Sequence, residues 1–130
     1  MIFVDTSFWA ALGNARDARH ETAKKLWNTK TDAVVTSNHV LGETWTLLNR
    51  RCGHRAAVAA ASIRHSASVR IEHITTDVEE QAWEWLARHD EREYSFVDAT
   101  SFALMRKKKL VNAFAFDEDF SAAGFVELRP

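Results

Sequence analysis

The chain has 130 residues and a formal net charge of −1, a size that suits one domain with a real core and is too small for two. A charge so near zero excludes nucleic-acid binding through bulk basicity, so any such partner has to be met by a local basic patch. The lone Cys52 excludes an internal disulfide and fits a reducing compartment. An acid at position 5, with no basic segment leading into a long apolar one, argues against a signal peptide. The longest apolar stretch, around Ala56 to Ile63, is far shorter than a membrane span. A cytoplasmic protein with no membrane partner is the expectation.

One proline and four glycines give the chain little punctuation, which favours helices with short connections. Met1 to Val4 reads as a short buried strand. Thr6 or Ser7 can cap a helix through Leu12, and a second helix runs from about Ala18 to Asn28 on an apolar face of Ala23, Leu26 and Trp27. Ala33 to Thr36 reads as the second strand. Ser37 or Asn38 caps a helix to about Arg51, which Gly53 ends. The alanine-rich stretch from Arg55 to about His65 is another helix, and Val69 to Ile74 alternates as a half-exposed strand does. Asp77 begins a helix with Val78, Ala82, Trp85 and Leu86 along one stripe, from which Trp83 points away as an interface or ledge residue. A helix from Phe96 to Lys108 leads into a strand from Asn112 to Phe116, and Phe125 to Leu128 forms a last strand. Strands alternating with helices predict a single three-layer α/β domain over residues 1–130, a parallel sheet with helices on both faces.

Against that frame four acids stand out. Asp5 follows the first strand and Asp117 follows the fourth, and carboxylates at the carboxyl ends of parallel strands overlook the crevice where such sheets bind ligands. Asp98 lies in line with Phe102 and Met105, toward the packed face, where an unpartnered charge is expensive. Glu43 borders the apolar stripe of its helix. Each has a plain structural explanation too: Asp5 as a helix cap, Asp98 as the acid of a Ser95 capping box, Glu43 as a flanking residue, Asp117 and Asp119 as turn acids. Taken together they would repel one another unless a cation shared the site. A hard divalent ion such as Mg²⁺, held by two or three carboxylates, makes a phosphodiester-cleaving centre.

These residues resemble a known family. I-F-V-D-T-S at Ile2 to Ser7, Glu43, S-F-V-D-A at Ser95 to Ala99 and A-F-D-E-D-F at Ala115 to Phe120 are similar to PIN-domain ribonucleases, and more narrowly to the VapC toxins of bacterial toxin–antitoxin pairs. The resemblance covers essentially the whole chain, including A-G-F near its end. It implies a parallel sheet of order 3-2-1-4-5 and Mg²⁺- or Mn²⁺-dependent endonucleolytic cleavage of RNA. Asp5, Glu43, Asp98 and Asp117 would take the metal-site roles, Asp119 an auxiliary one, and Thr6 or Ser7 would supply a supporting hydroxyl. It further implies a homodimer silenced by a small VapB-type antitoxin, and a structured RNA substrate, either tRNA or the sarcin–ricin loop of large-subunit rRNA. The run from Thr36 to Arg51 most resembles mycobacterial members, some of them rRNA-cutting.

Two basic clusters are candidates for RNA contact, Arg50, Arg51, His54 and Arg55 in one, Arg106, Lys107, Lys108 and Lys109 in the other. Singly, each fits a solvated helix end. Trp9 and Trp45 read as core or antitoxin-groove residues. His39 and Glu43 share helical spacing, but with no third histidine suitably placed a zinc site is not expected. A phosphatase of the haloacid-dehalogenase type would need an aspartate where Ser7 stands. The remaining rival is a catalytically silent RNA- or protein-binding module on the same scaffold.

Overall fold

The computed structural model describes residues 1–130. Strand β1 (Ile2–Val4) is followed by α1 (Thr6–Gly13) and α2 (His20–Thr29), and β2 (Val34–Ser37) by α3 (Asn38–Cys52) and α4 (His54–Ala61). A 3₁₀ turn at Ser62–His65 leads into β3 (Val69–Glu72), followed by α5 (Thr76–Arg88) and α6 (Phe96–Lys107). The chain closes with β4 (Asn112–Phe114), α7 (Asp119–Ala122) and β5 (Val126–Glu127). The five strands are all parallel, in the order β3-β2-β1-β4-β5, as expected. Right-handed crossovers put the first two connections on one face of the sheet and the third, α5 and α6, on the other.

β1 and β2 are buried along their whole length, because helices cover both sides of the central strands. The polar end of β2 is satisfied from within. Thr36 Oγ1 donates to the Val4 carbonyl at 2.7 Å and accepts Trp9 Nε1–H at 3.3 Å, while Ser37 Oγ accepts Val40 N–H and caps α3. Gly53, at φ +93°, ends that helix in a conformation that glycine adopts without strain. Twenty-five buried residues form the core. Phe8 stacks on Phe114 at 4.5 Å between centroids, and Phe102 meets Phe120 edge-on at 4.9 Å, each such ring contributing about 1.5–3 kcal/mol by burial.

Some boundaries differ from the sequence reading, for local reasons. The expected helix from Arg55 to His65 divides into α4 and the 3₁₀ turn. β4 stops at Phe114, because Phe116 N–H turns away from the ladder to Ser7 Oγ. α1 is capped by Asp5 and not by Thr6 or Ser7. The short α7 carried no legible periodicity, and the last strand shrinks to Val126–Glu127.

Candidate metal centre

β1 and β4 are neighbours, with Phe3 opposite Ala113 and Val4 opposite Phe114, so the sheet changes direction between them. Asp5 N–H still bonds the Phe114 carbonyl at 3.0 Å, and past that point the two chains diverge into a crevice. Asp5 is 1% exposed. Its Oδ2 accepts the Ser7 N–H at 3.2 Å and the Ser7 hydroxyl at 2.8 Å, whereas Oδ1 is buried with no hydrogen-bond partner. Ser7 Oγ also accepts Phe116 N–H at 3.0 Å, stitching the end of β1 to the end of β4. Thr6 Oγ1 points instead at the Val40 carbonyl, 3.5 Å away on α3.

Asp98 arrives from the other face of the sheet, at the start of α6. The capping box is present: Ser95 Oγ accepts Asp98 N–H at 2.9 Å, and Asp98 Oδ2 accepts Ser95 N–H at 3.0 Å. The same carboxylate belongs to a second group. One oxygen each from Asp98, Asp117 and Asp119 lie within 4.8 Å of one another. Glu118, between the last two, has φ +69°, a left-handed turn uncommon for a residue with a side chain. Asp119 N–H donates to Asp117 Oδ1 at 3.2 Å. Glu127 braces the turn by accepting Glu118 N–H, Ser121 N–H and the Ser121 hydroxyl.

These carboxylates disturb one another as crowded anions must. Burial, then the charges of Asp117 and Asp98, push the Asp5 carboxyl well above its ordinary range. Burial first, then Asp117 and Asp119, push Asp98 up to about 7 despite its bonds from Ser95. Asp117 is an exposed residue of the turn, yet burial beside the other acids, then the charge of Asp119, raises its carboxyl to about 6. A buried oxygen without a donor beside three converging carboxylates lacks what a cation would supply. The donor set is all oxygen, which fits Mg²⁺ or Mn²⁺ and not a thiolate- or imidazole-seeking metal.

Glu43 stands outside the close trio, but from α3 it lines the same cleft of about 410 Å³ as Asp5, Thr6, Ser7 and Asp117. Of the sequence-predicted cations, Arg51 lines that cleft, while Arg50 and Arg55 are exposed. The second cluster is at the far end of α6, roughly 12–15 Å from Asp98 at 1.5 Å per residue. There Arg106 lies over the Trp85 and Phe125 rings and Lys108 pairs with Glu72 at 3.0 Å, with Lys107 beside it in a hollow lined by Glu72 and His73. Sequence reasoning missed two arginines. Arg92, in the loop after α5, donates from Nε to Asp119 Oδ1 at 2.9 Å and from Nη2 to the Asp117 carbonyl at 3.4 Å. Arg19 lines the cleft from the start of α2. Both lie in charge-dense loops, H-D-E-R-E-Y and R-D-A-R, where nothing singles out one cation.

The chain is similar to known proteins in sequence and in fold. The chain is 81% identical over 130 residues to the 23S rRNA-specific endonuclease VapC20 of two Mycobacterium tuberculosis strains, covering all of this chain and 99% of the relative. The crystal structure of M. tuberculosis VapC20, described as a sarcin–ricin loop cleaving toxin, superposes over the full length of both chains with a TM-score of 0.98 at 79% identity. A toxin–antitoxin complex from Klebsiella pneumoniae shares the fold with a TM-score of 0.67 at 18% identity, over 98% of this chain and all of its own. The PIN domain family matches residues 2–126, from the first strand to the last, and the chain belongs to it.

Proposed function

We propose that this chain is the toxin of a type II toxin–antitoxin pair, a divalent-metal-dependent endoribonuclease that hydrolyses a phosphodiester bond in the sarcin–ricin loop of 23S rRNA and so stops translation. The observation that carries this reading is the convergence of Asp98, Asp117 and Asp119 beside the orphaned Oδ1 of Asp5. The choice of rRNA over tRNA follows the relative named as 23S rRNA-specific.

Asp5, Asp98, Asp117 and Asp119 would hold the cation, with Mg²⁺ as the resident ion and Mn²⁺ as a substitute. A bound divalent ion activates water and stabilises charge on the phosphate and leaving oxygen. The protein's own part is positioning. Ser7 fixes the Asp5 carboxylate, the Ser95 box fixes Asp98, and Arg92 with Glu127 fixes the turn that carries Asp117 and Asp119. Glu43 brings a further carboxylate to the cleft.

On its similarity to VapC toxins, the chain would form a homodimer and be silenced by a small antitoxin. An apolar groove of about 380 Å³, lined by Trp9, Leu12, Trp27, Ala60 and Ile63 among others, offers an antitoxin segment a seat. No helix is long and apolar enough to cross a membrane, and an rRNA substrate would put the action in the cytoplasm.

The test is to sequence RNA 5′ ends after a brief pulse of expression. A single dominant cut in the sarcin–ricin loop, absent with Asp98→Asn, is expected. Ends elsewhere, or the same ends with Asp98→Asn, would contradict the reading.

A further inference from the structure

The acidic cleft has a basic rim whose two members make no ion pair and no side-chain hydrogen bond in the protein. Arg19 and Arg51 line it together with Asp5, Asp17, Glu43 and Asp117. Neither arginine is within 4.0 Å of a carboxylate oxygen, although Lys24, Arg70, Arg92, Lys108 and Arg129 all form ion pairs. Both are exposed, so their planar forks of N–H donors are open to a ligand in the cleft.

Arg19 is held by its surroundings without being neutralised. Its backbone N–H donates to Asp17 Oδ1 at 2.8 Å, fixing the turn into α2. Its guanidinium lies 5.3 Å from the centroid of the Phe116 ring, and Phe116 is the residue before Asp117. That ring is fixed in turn by Phe8, 5.6 Å away, and by Arg129 at 5.1 Å. Arg129 is tied to the Ala115 carbonyl and to Glu127. The ring contact uses none of the guanidinium N–H donors, and no hydrogen bond or ion pair in the protein occupies them. Arg51, in the last turn of α3, follows Glu43 and Leu47 along the helix face that lines the cleft.

We propose that Arg19 and Arg51 form a phosphate-binding subsite on the rim of the acidic cleft, gripping the RNA backbone next to the bond that is cut. This deepens the endoribonuclease reading and rests on it. An anionic strand cannot enter a cleft lined by carboxylates without local cations, and the chain as a whole supplies none by net charge. A guanidinium fork matches two phosphate oxygens, and the contact carries no base information. The subsite sets affinity and register along the strand, while the acids do the chemistry.

The test uses the Asp98→Asn protein, expected to bind without cutting, and an RNA hairpin of the sarcin–ricin sequence followed by fluorescence anisotropy across a salt series. Arg19→Ala and Arg51→Ala should each weaken binding about tenfold and each lower the slope of log affinity against log salt by about 0.7–0.9. The loss should be equal for a hairpin of unrelated sequence, as phosphate contacts require. Arg19→Lys and Arg51→Lys should retain the salt slope. Mn²⁺ uptake by each arginine variant with Asp98 intact should equal that of the parent, which excludes a damaged metal centre. Unchanged affinity and slope in both alanine variants would overturn the subsite while leaving the endoribonuclease reading standing. Failure of the parent protein to cut the hairpin would overturn both.

Discussion

The Ser7 hydroxyl donates to Asp5 Oδ2 at 2.8 Å while accepting the Phe116 N–H at 3.0 Å. One oxygen thereby fixes the most buried acid of the site and the strand end that leads to Asp117. Ser7→Ala leaves that amide without its partner and Asp5 with only the Ser7 N–H. The expected cost is about 1–3 kcal/mol, a fall in melting midpoint of roughly 4–10 °C, with RNA cutting slowed well beyond the loss of folded protein. Thermal melting with a parallel cleavage assay checks both.

Arg92 is the counter-ion of Asp119. Groups that orient a metal-holding carboxylate usually cost 10–100-fold in metal affinity or activity when removed. Arg92→Ala should therefore weaken Mn²⁺ binding about tenfold with little change in melting midpoint, and Arg92→Lys should recover part of the loss. Calorimetric titration of the three proteins decides it.

Strand ends were enough to place Asp5 and Asp117 over one crevice, because burial on both faces gives central parallel strands their unbroken apolar runs. Asp98 was harder. Its two readings, cap and site acid, looked like alternatives, yet the geometry accommodates both: Oδ2 closes the capping box and the group still lies with Asp117 and Asp119. Asp119 depends on the left-handed turn at Glu118, which no propensity signals. Arg92 and Arg19 were illegible for a different reason. A cation in a charged loop earns its meaning only from what the fold sets opposite it, 27 residues away along the chain for Arg92 and Asp119.

The raised carboxyl groups make metal-free stability depend on pH. A carboxyl whose folded-state pKa is raised takes up a proton on folding, so the stability it lends is complete below its ordinary value and is lost as pH rises through the folded value. For Asp98 the window runs from about 3.8 to about 7; Asp117 adds to it up to about 6, less strongly because it stays open to solvent. In EDTA the melting midpoint should fall by roughly 5–10 °C between pH 5 and pH 8. Mg²⁺ should flatten that slope by favouring the ionised forms. Asp98→Asn, which keeps an acceptor for Ser95 N–H, should melt in EDTA at pH 8 no lower than the parent. A sharply lower midpoint would mean that the acid is mainly structural.

Cleavage by an activated water leaves a 5′-phosphate and a 3′-hydroxyl, whereas attack by the ribose 2′-hydroxyl leaves a cyclic phosphate. The products of this chain should ligate through their 5′-phosphates without prior kinase treatment, and excess chelator should abolish cutting. Cyclic ends would rule out water attack.

Isothermal titration of Mn²⁺ into the purified, chelator-stripped protein probes the gathered carboxylates most directly. Saturable uptake by the parent, lost or weakened at least tenfold in both Asp98→Asn and Asp117→Asn, is the predicted result. No uptake by the parent, or the same uptake by all three, would contradict the account at its root.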